Sequence, residues 1–499
     1  MSTGGIFKLI TNDGIQDKLL MATNYLEKRV GQIAAVNAQR RKQMEKTNVN
    51  KNNLSFANSW IPSLNQIEKT HNIFVNGSFK PFVAMGYEYS KTQITEGSKQ
   101  FGTTSSFTIP QFGDFFNDMV VHIRLTGLQA TNPGDKVRYA AFLGHKIIEN
   151  AAFYIQNNKI DDYSTHEYNA YYNFHVPPSK KTGWLRNMGQ EIPNLGYVTS
   201  NPLTDEVREY RWFGDGPQTF KRTHDSVDLW IPILFWFKDI KHAVPNIILP
   251  YGQTKLELKL AKSNELIAFA NYVGDGSYTE PKIEKFDLYT NHVFMVQFVH
   301  KIFLQNFGFS LIRVHKRQVA LVDKSEGNKK LNDMKWPIET MYVAFRPKAN
   351  EELSQYWYRN SKLTQTDIPV PVANATTVSI NQVRIQKESP SVDTLELQAH
   401  GVKIFKETPS SFYNSYVPYR FGKYVNTPED PGWFMMNFNF NPGDHNPSGH
   451  LNVSRAREFY LSYTSSYISS ASKADLIVLA DALNFFLVKD GSGVLRFST

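Results

Sequence analysis

The chain has 499 residues, too many for one ordinary hydrophobic core, so two large domains or three smaller ones are expected. Aromatic residues make up 14% and charged residues 20%, which favours extensive packed β-structure and argues against disorder. The absence of cysteine excludes disulfides and thiol chemistry, and a net charge of +9 over this length is a weak signal for nucleic acid.

Residues 1–60 differ in character from the rest. Ile6, Phe7, Leu9 and Ile10 form a short apolar opening. From Gln16 to about Lys46, Leu19, Leu26, Val30 and Ile33 fall at helical spacing, which predicts an N-terminal helical arm. No secretory signal is read, and Gly4 is not where myristoylation requires a glycine. The Asn-x-Ser/Thr triplets at Asn53, Asn76, Asn374 and Asn452 are therefore expected to be idle. The longest apolar stretch, residues 476–488, contains Asp481 and Asn484 and is shorter than the roughly 20 residues of a membrane span.

From Ile67 the texture becomes β. Residues 119–125 and 288–296 read as strands, and residues 147–163 as two short strands around Asn157-Asn158. Residues 230–237 read as a strand broken by Pro232, which a central strand could not hold without losing a ladder bond. Leu256, Leu258 and Leu260 alternate with Lys255, Glu257 and Lys259, a strand buried on one face. A helix at 297–306 is expected to carry the domain boundary, after which residues 309–316 and 341–345 begin fresh strands. Residues 350–390, proline-rich and weakly patterned, predict a long exposed loop, and residues 395–405 a strand region around His400-Gly401. Asp490-Gly491-Ser492-Gly493 predicts a final hairpin turn.

One stretch near the end stands out. Phe434, Met436, Phe438 and Phe440 alternate with polar or smaller partners, and Pro442-Gly443 and Pro447-Ser448-Gly449 then bracket a polar loop. Leu451, Val453, Phe459 and Leu461 share one parity with Arg455 and Arg457. Either those arginines are buried and paired, or the strand bends at Arg455-Ala456-Arg457. The residues Pro447, Ser448, Gly449, Asn452, Ser454 and Arg455 resemble a motif in the last sheet of the major capsid proteins of nucleocytoplasmic large DNA viruses. With its neighbours the stretch looks most like the African swine fever virus type. Residues 107–125, 235–252 and 309–345 carry further similarity, and the resemblance runs from residue 4 to 499, thinner at 195–225 and 350–390.

The resemblance implies an all-β fold, a double jelly roll of two tandem eight-stranded sandwiches with short helices. The domains are then an arm at 1–60, a first jelly roll at 61–300 and a second at 301–499. It implies a viral major capsid protein, not an enzyme, that forms homotrimeric, pseudo-hexagonal capsomers tiling an icosahedral shell. Implied partners are the chain itself, minor capsid and penton proteins, and an inner viral membrane reached by the arm, with no specific nucleic acid. Implied localisation is the virion capsid, assembled in the host cytoplasm. The family relative carries long insertions in its first jelly roll, whereas residues 125–147 here are compact, which argues against a large turret there. Two other readings stay open: a double-jelly-roll scaffold of viral membrane assembly, and a carbohydrate-binding β-sandwich.

No cofactor, metal or catalytic constellation is read. Ser179-Lys180-Lys181-Thr182-Gly183 lacks the leading glycine of a phosphate loop and reads as a basic loop, and Gly274-Asp275-Gly276 reads as a turn. Asp161-Asp162 are neighbours on a strand and would point to opposite faces. Asp444, His445 and His450 lie in a polar turn and read as solvated residues.

Overall fold

The computed structural model describes residues 35, 38–39, 85–191, 194–201, 206–213, 216–249, 254–270, 277–295, 309–352, 356–371, 380–444, 446–489 and 492–496. Apart from helical residues 35, 38 and 39, the N-terminal arm lies outside them, as do the helix expected at 297–306 and Gly274-Asp275-Gly276.

Eight strands build the sandwich of the first half: β1 (Met85–Gln93), β2 (Thr104–Thr108), β3 (Phe115–Leu125), β4 (Ile148–Ile155), β5 (Asn158–Ser164), β6 (Val227–Pro232), β7 (Thr254–Leu260) and β8 (Ile283–Met295). They form two sheets of order β1-β8-β3-β6 and β2-β7-β4-β5. Eight more build that of the second half: β9 (Phe309–Val322), β10 (Glu326–Lys330), β11 (Pro337–Pro347), β12 (Thr394–Ala399), β13 (Val402–Pro409), β14 (Trp433–Asn437), β15 (Phe459–Thr464) and β16 (Ala474–Lys489). Their sheets run β9-β16-β11-β14 and β10-β15-β12-β13. Adding eight to every strand of the first pair reproduces the second. The chain is a double jelly roll, each half a pair of four-stranded sheets with protected edges.

Local chemistry explains the pattern. In β7 Leu256, Leu258 and Leu260 are buried while the charged residues between them are not, as the period-two spacing requires. Every residue of β11 is buried, so this strand shows no alternation. Pro232 is the last residue of β6, an edge strand, where its missing N–H is tolerated. Rings join the facing sheets: Phe107 meets Phe286 edge-on at 5.2 Å, and Phe345 meets Tyr463 at 5.0 Å.

Three expectations need correction. The β4–β5 turn uses Gln156 (φ 49°) and Asn157 (φ 64°), one residue earlier than Asn157-Asn158. Ser179 to Gly183 is helical, within α2 (Pro178–Asn187), because Pro178 occupies the first helical turn where its missing N–H costs nothing. Residues 350–390 are not one loop: Lys362–Pro371 and Ile380–Ser389 pair as an antiparallel hairpin, inserted between β11 and β12. In the first half, helices α1 (Thr165–Phe174) and α2 lie between β5 and β6. A helical run occupies the equivalent connection of the second half, Phe412–Tyr416 continuing as Val417–Arg420.

By contacts the chain divides into two units, one of residues 1–88, 112–115 and 292–306 and one of residues 89–111, 116–291 and 307–499. Within the first, the Asp114 N–H donates to the Val293 carbonyl (2.9 Å) and the Met295 N–H to the Asp114 carboxylate (2.6 Å). The second contains most of both sandwiches, and one cluster of buried apolar side chains runs through the two halves, from Phe107 to Phe486.

Candidate assembly surface

Polar contacts join the two sandwiches along a seam between β5 and β9. Asp161 of β5 is buried and accepts from the His315 N–H (2.9 Å) and lies 2.8 Å from His315 Nδ1 on β9. Its neighbour Asp162 pairs with Arg317 of the same strand at 2.9 Å. Both carboxylates thus meet β9, a joint role that the expectation of opposite faces had separated. Burial alone would lower the His315 pKa, but the Asp161 carboxylate holds it above its ordinary value. At the other end of α1, the backbone and side-chain N–H groups of Asn426 donate to the Phe174 carbonyl, satisfying an orphan acceptor of the helix terminus. Phe174 itself packs on Tyr342 of β11 with ring centroids 4.7 Å apart. None of these pairs was legible beforehand, because each joins residues more than a hundred positions apart.

The motif residues lie in the connection from β14 to β15. The Ser448 hydroxyl accepts from the Asn441 N–H (2.7 Å), closing the polar loop on itself. Gly449 has φ 143°, and a β-carbon there would lie 3.0 Å from the Phe438 carbonyl oxygen, so glycine is required. Asn452 Oδ1 accepts from both the N–H (3.1 Å) and the hydroxyl (2.7 Å) of Ser454, a side-chain turn that ends the short strand Leu451–Asn452. The chain bends at this point: Val453, Ala456 and Phe459 are buried at intervals of three, not two. Arg455 is therefore exposed, as is Arg457, and Arg455 makes no hydrogen bond or ion pair among the described residues. Of the two readings open for the arginines, burial with a partner is corrected, and the bend at Arg455-Ala456-Arg457 is what the structure shows. The bend removes Arg455 from the apolar parity that motivated the first reading. His445 lies outside the described residues, and His450 is exposed.

The helical run after β13 offers a surface that sequence reading missed. Tyr413 is buried, and Val417 and Phe421 pack on the cluster containing Trp433 and Met435. Phe412, Tyr416 and Tyr419 occupy the opposite face and are exposed, Tyr419 at 76%. Phe412 and Tyr416 stack with centroids 5.3 Å apart. Spacings of four and three among these aromatics are the signal that could have found the face. Three large rings on one exposed helical face are unusual for a surface that meets only water.

Comparison with known proteins decides the family. One profile, described as "Major capsid protein N-terminus", matches residues 84–296, and a second, "Large eukaryotic DNA virus major capsid protein", matches residues 293–494. The chain belongs to the major capsid proteins of large eukaryotic DNA viruses. As such a capsid protein it is 28% identical to the hexon protein p72 of African swine fever virus (isolate Tick/Malawi/Lil 20-1/1983), over 661 aligned positions covering all of both chains. Since this capsid protein has 499 residues, that relative carries insertions that are lacking here. The Faustovirus major capsid protein is similar in structure, with TM-score 0.74 and 26% identity over 96% of this chain and all of that one. A capsid subunit of PBCV-1 shares the fold, with TM-score 0.61 and 18% identity over 84% of this chain and 98% of that one.

Proposed function

We propose that three copies of this major capsid protein associate into a pseudo-hexagonal capsomer that tiles an icosahedral shell. The observation that carries the reading is the repeated strand order, which gives one chain two equivalent blocks in tandem. Three chains then present six similar sandwiches around a three-fold axis. Closed symmetry is the usual outcome when one surface meets a different surface of its neighbour and the rotation closes. The exposed face of Phe412, Tyr416 and Tyr419 has the aromatic character of a contact between subunits. Shell contacts between capsomers are individually weak and act together, so misplaced units can leave and rebind.

In this reading the protein has no catalytic role. The segment 1–60 faces the virion interior as an arm, with jelly rolls at 61–300 and 301–499. Minor capsid and penton proteins and an inner membrane are its further partners, and assembly takes place in the host cytoplasm. Light scattering on purified protein at micromolar concentration tests the oligomer. A mass of three chains is expected, and a stable folded monomer over the whole concentration range would contradict it.

A further inference from the structure

Apart from the seam contacts above, an open cavity of about 900 Å³ lies between the two sandwiches. Three cationic side chains line it: Arg138 from strand Lys136–Tyr139, Lys146 from the helical turn Leu143–Ile147, and Arg346 from β11. Arg138 is only 7% exposed, and its guanidinium carbon lies 4.5 Å over the Phe220 ring. Its Nε has no hydrogen-bond partner, and no carboxylate among the described residues pairs with it. Lys146 Nζ stands 5.3 Å over the Trp357 ring and has no ion pair among the described residues either. Arg346 contacts Asp475 at 3.2 Å and Glu351 at 3.0 Å, yet its Nε lacks an acceptor.

A guanidinium stays protonated when buried, and a buried charge without a counter-charge is unfavourable. Stacking on Phe220 offsets part of that cost, not all of it. Burial pushes the Lys146 pKa down to about 8 and lowers that of Arg138, the direction expected of cations that lack an adequate anion. Two of the carboxylates lining the cavity already have cationic partners, neither of them Arg138 or Lys146. Glu149 contacts Lys259 at 2.7 Å, and Glu351 contacts Arg346 and Lys348. Glu265, exposed at the rim, and to a smaller extent Glu351 favour the charged form of Lys146. The first residues of α1, Thr165 and His166, also open onto the cavity.

We propose that this cavity binds a phosphate-class oxyanion, held by Arg138 and Lys146 of the first sandwich and by Arg346 of the second. A guanidinium fork suits the flat spread of phosphoryl oxygens, and the lysine adds a point charge. The bound anion ties the two sandwiches together, through the unpaired charges of Arg138 and Lys146 on one side and the free Nε of the otherwise paired Arg346 on the other. Free inorganic phosphate and the phosphates of a nucleotide share this chemistry, and the ligand is one of the two.

The test is thermal unfolding and titration calorimetry of the full-length protein with inorganic phosphate, pyrophosphate or ATP, against chloride at matched ionic strength. Phosphate species are expected to raise Tm beyond chloride. Saturation by inorganic phosphate points to the free ion, and a response to ATP alone points to a nucleotide. Arg138→Met removes the buried charge, so it is expected to raise the ligand-free Tm while weakening binding by about tenfold or more. Lys146→Met weakens binding as well, whereas Glu265→Gln, which removes the competing carboxylate, strengthens it. Should Arg138→Met fail to fold, the opposite signs of the other two variants carry the test. Equal shifts in phosphate and chloride, or equal affinity in wild type and both Met variants, would overturn the proposal.

Discussion

Protonating His145 would break a bond that its fold depends on. Its Nδ1 lies 2.9 Å from Asn169 Oδ1, and its Nε2 accepts from the Trp184 indole N–H at 2.8 Å, so the neutral ring is fully satisfied. Burial pushes its pKa down to about 3, and burial likewise lowers His175 to about 4. The unfolded chain takes up these protons near the ordinary value of 6.5, while the folded chain refuses them. Their contribution to stability is therefore complete above pH 6.5 and is lost progressively as pH falls towards 3. Tm measured against pH should fall below pH 6.5, and His145→Gln should flatten that slope; an identical slope in the variant would contradict the assignment. Gly449→Ala should cost about 1–3 kcal/mol in chemical denaturation, because alanine at this φ is strained and its β-carbon crowds Phe438. Arg455→Met and Arg457→Met should both stay within about 0.5 kcal/mol, as exposed side chains do. The parity of Leu451, Val453, Phe459 and Leu461 was legible in the sequence. The sequence left a bend at Arg455 as one of two readings, and it could not choose between them because the bend depends on the local bonds of Asn452 and Ser454.

At the scale of elements, the seam between β5 and β9 is the joint that matters most. Asp161→Ala leaves the half-buried His315 without its carboxylate and is expected to cost about 2 kcal/mol, read by denaturant unfolding. Asp162→Ala should cost about 1 kcal/mol or less, since Arg317 is partly solvated. The His315 contribution has the opposite sign to that of His145. With its folded pKa raised by Asp161 against burial, it is complete below pH 6.5 and lost as pH rises through that raised value. Strands with one buried face, such as β7, were readable because polar and apolar residues alternate in step with the backbone. The hairpin of Lys362–Pro371 and Ile380–Ser389 was hidden by Pro369 and Pro371 and by a mostly polar sequence. The helix at Pro178–Asn187 was hidden because Lys180, Lys181 and Gly183 look like a loop when Pro178 is not recognised as its first turn.

For the whole molecule, the two halves share no visible sequence repeat, yet their strand orders coincide. Strand order is set by pairing between distant segments, such as β1 with β8 and β9 with β16, and a local pattern carries no record of it. The fold class was therefore legible only through the resemblance carried by Pro447 to Arg455 and its companion segments. In the proposed capsomer, the exposed rings of Phe412, Tyr416 and Tyr419 are the expected contact between subunits. Tyr416→Asp should leave the monomer's Tm within a few degrees while reducing the yield of the oligomer in gel filtration, because a charge on an exposed face harms association more than folding. The capsomer assignment is tested most directly by electron microscopy of the purified protein. Projections with a hexagonal outline and three-fold symmetry are expected. A field of separate, asymmetric particles of single-chain size at every concentration would contradict it.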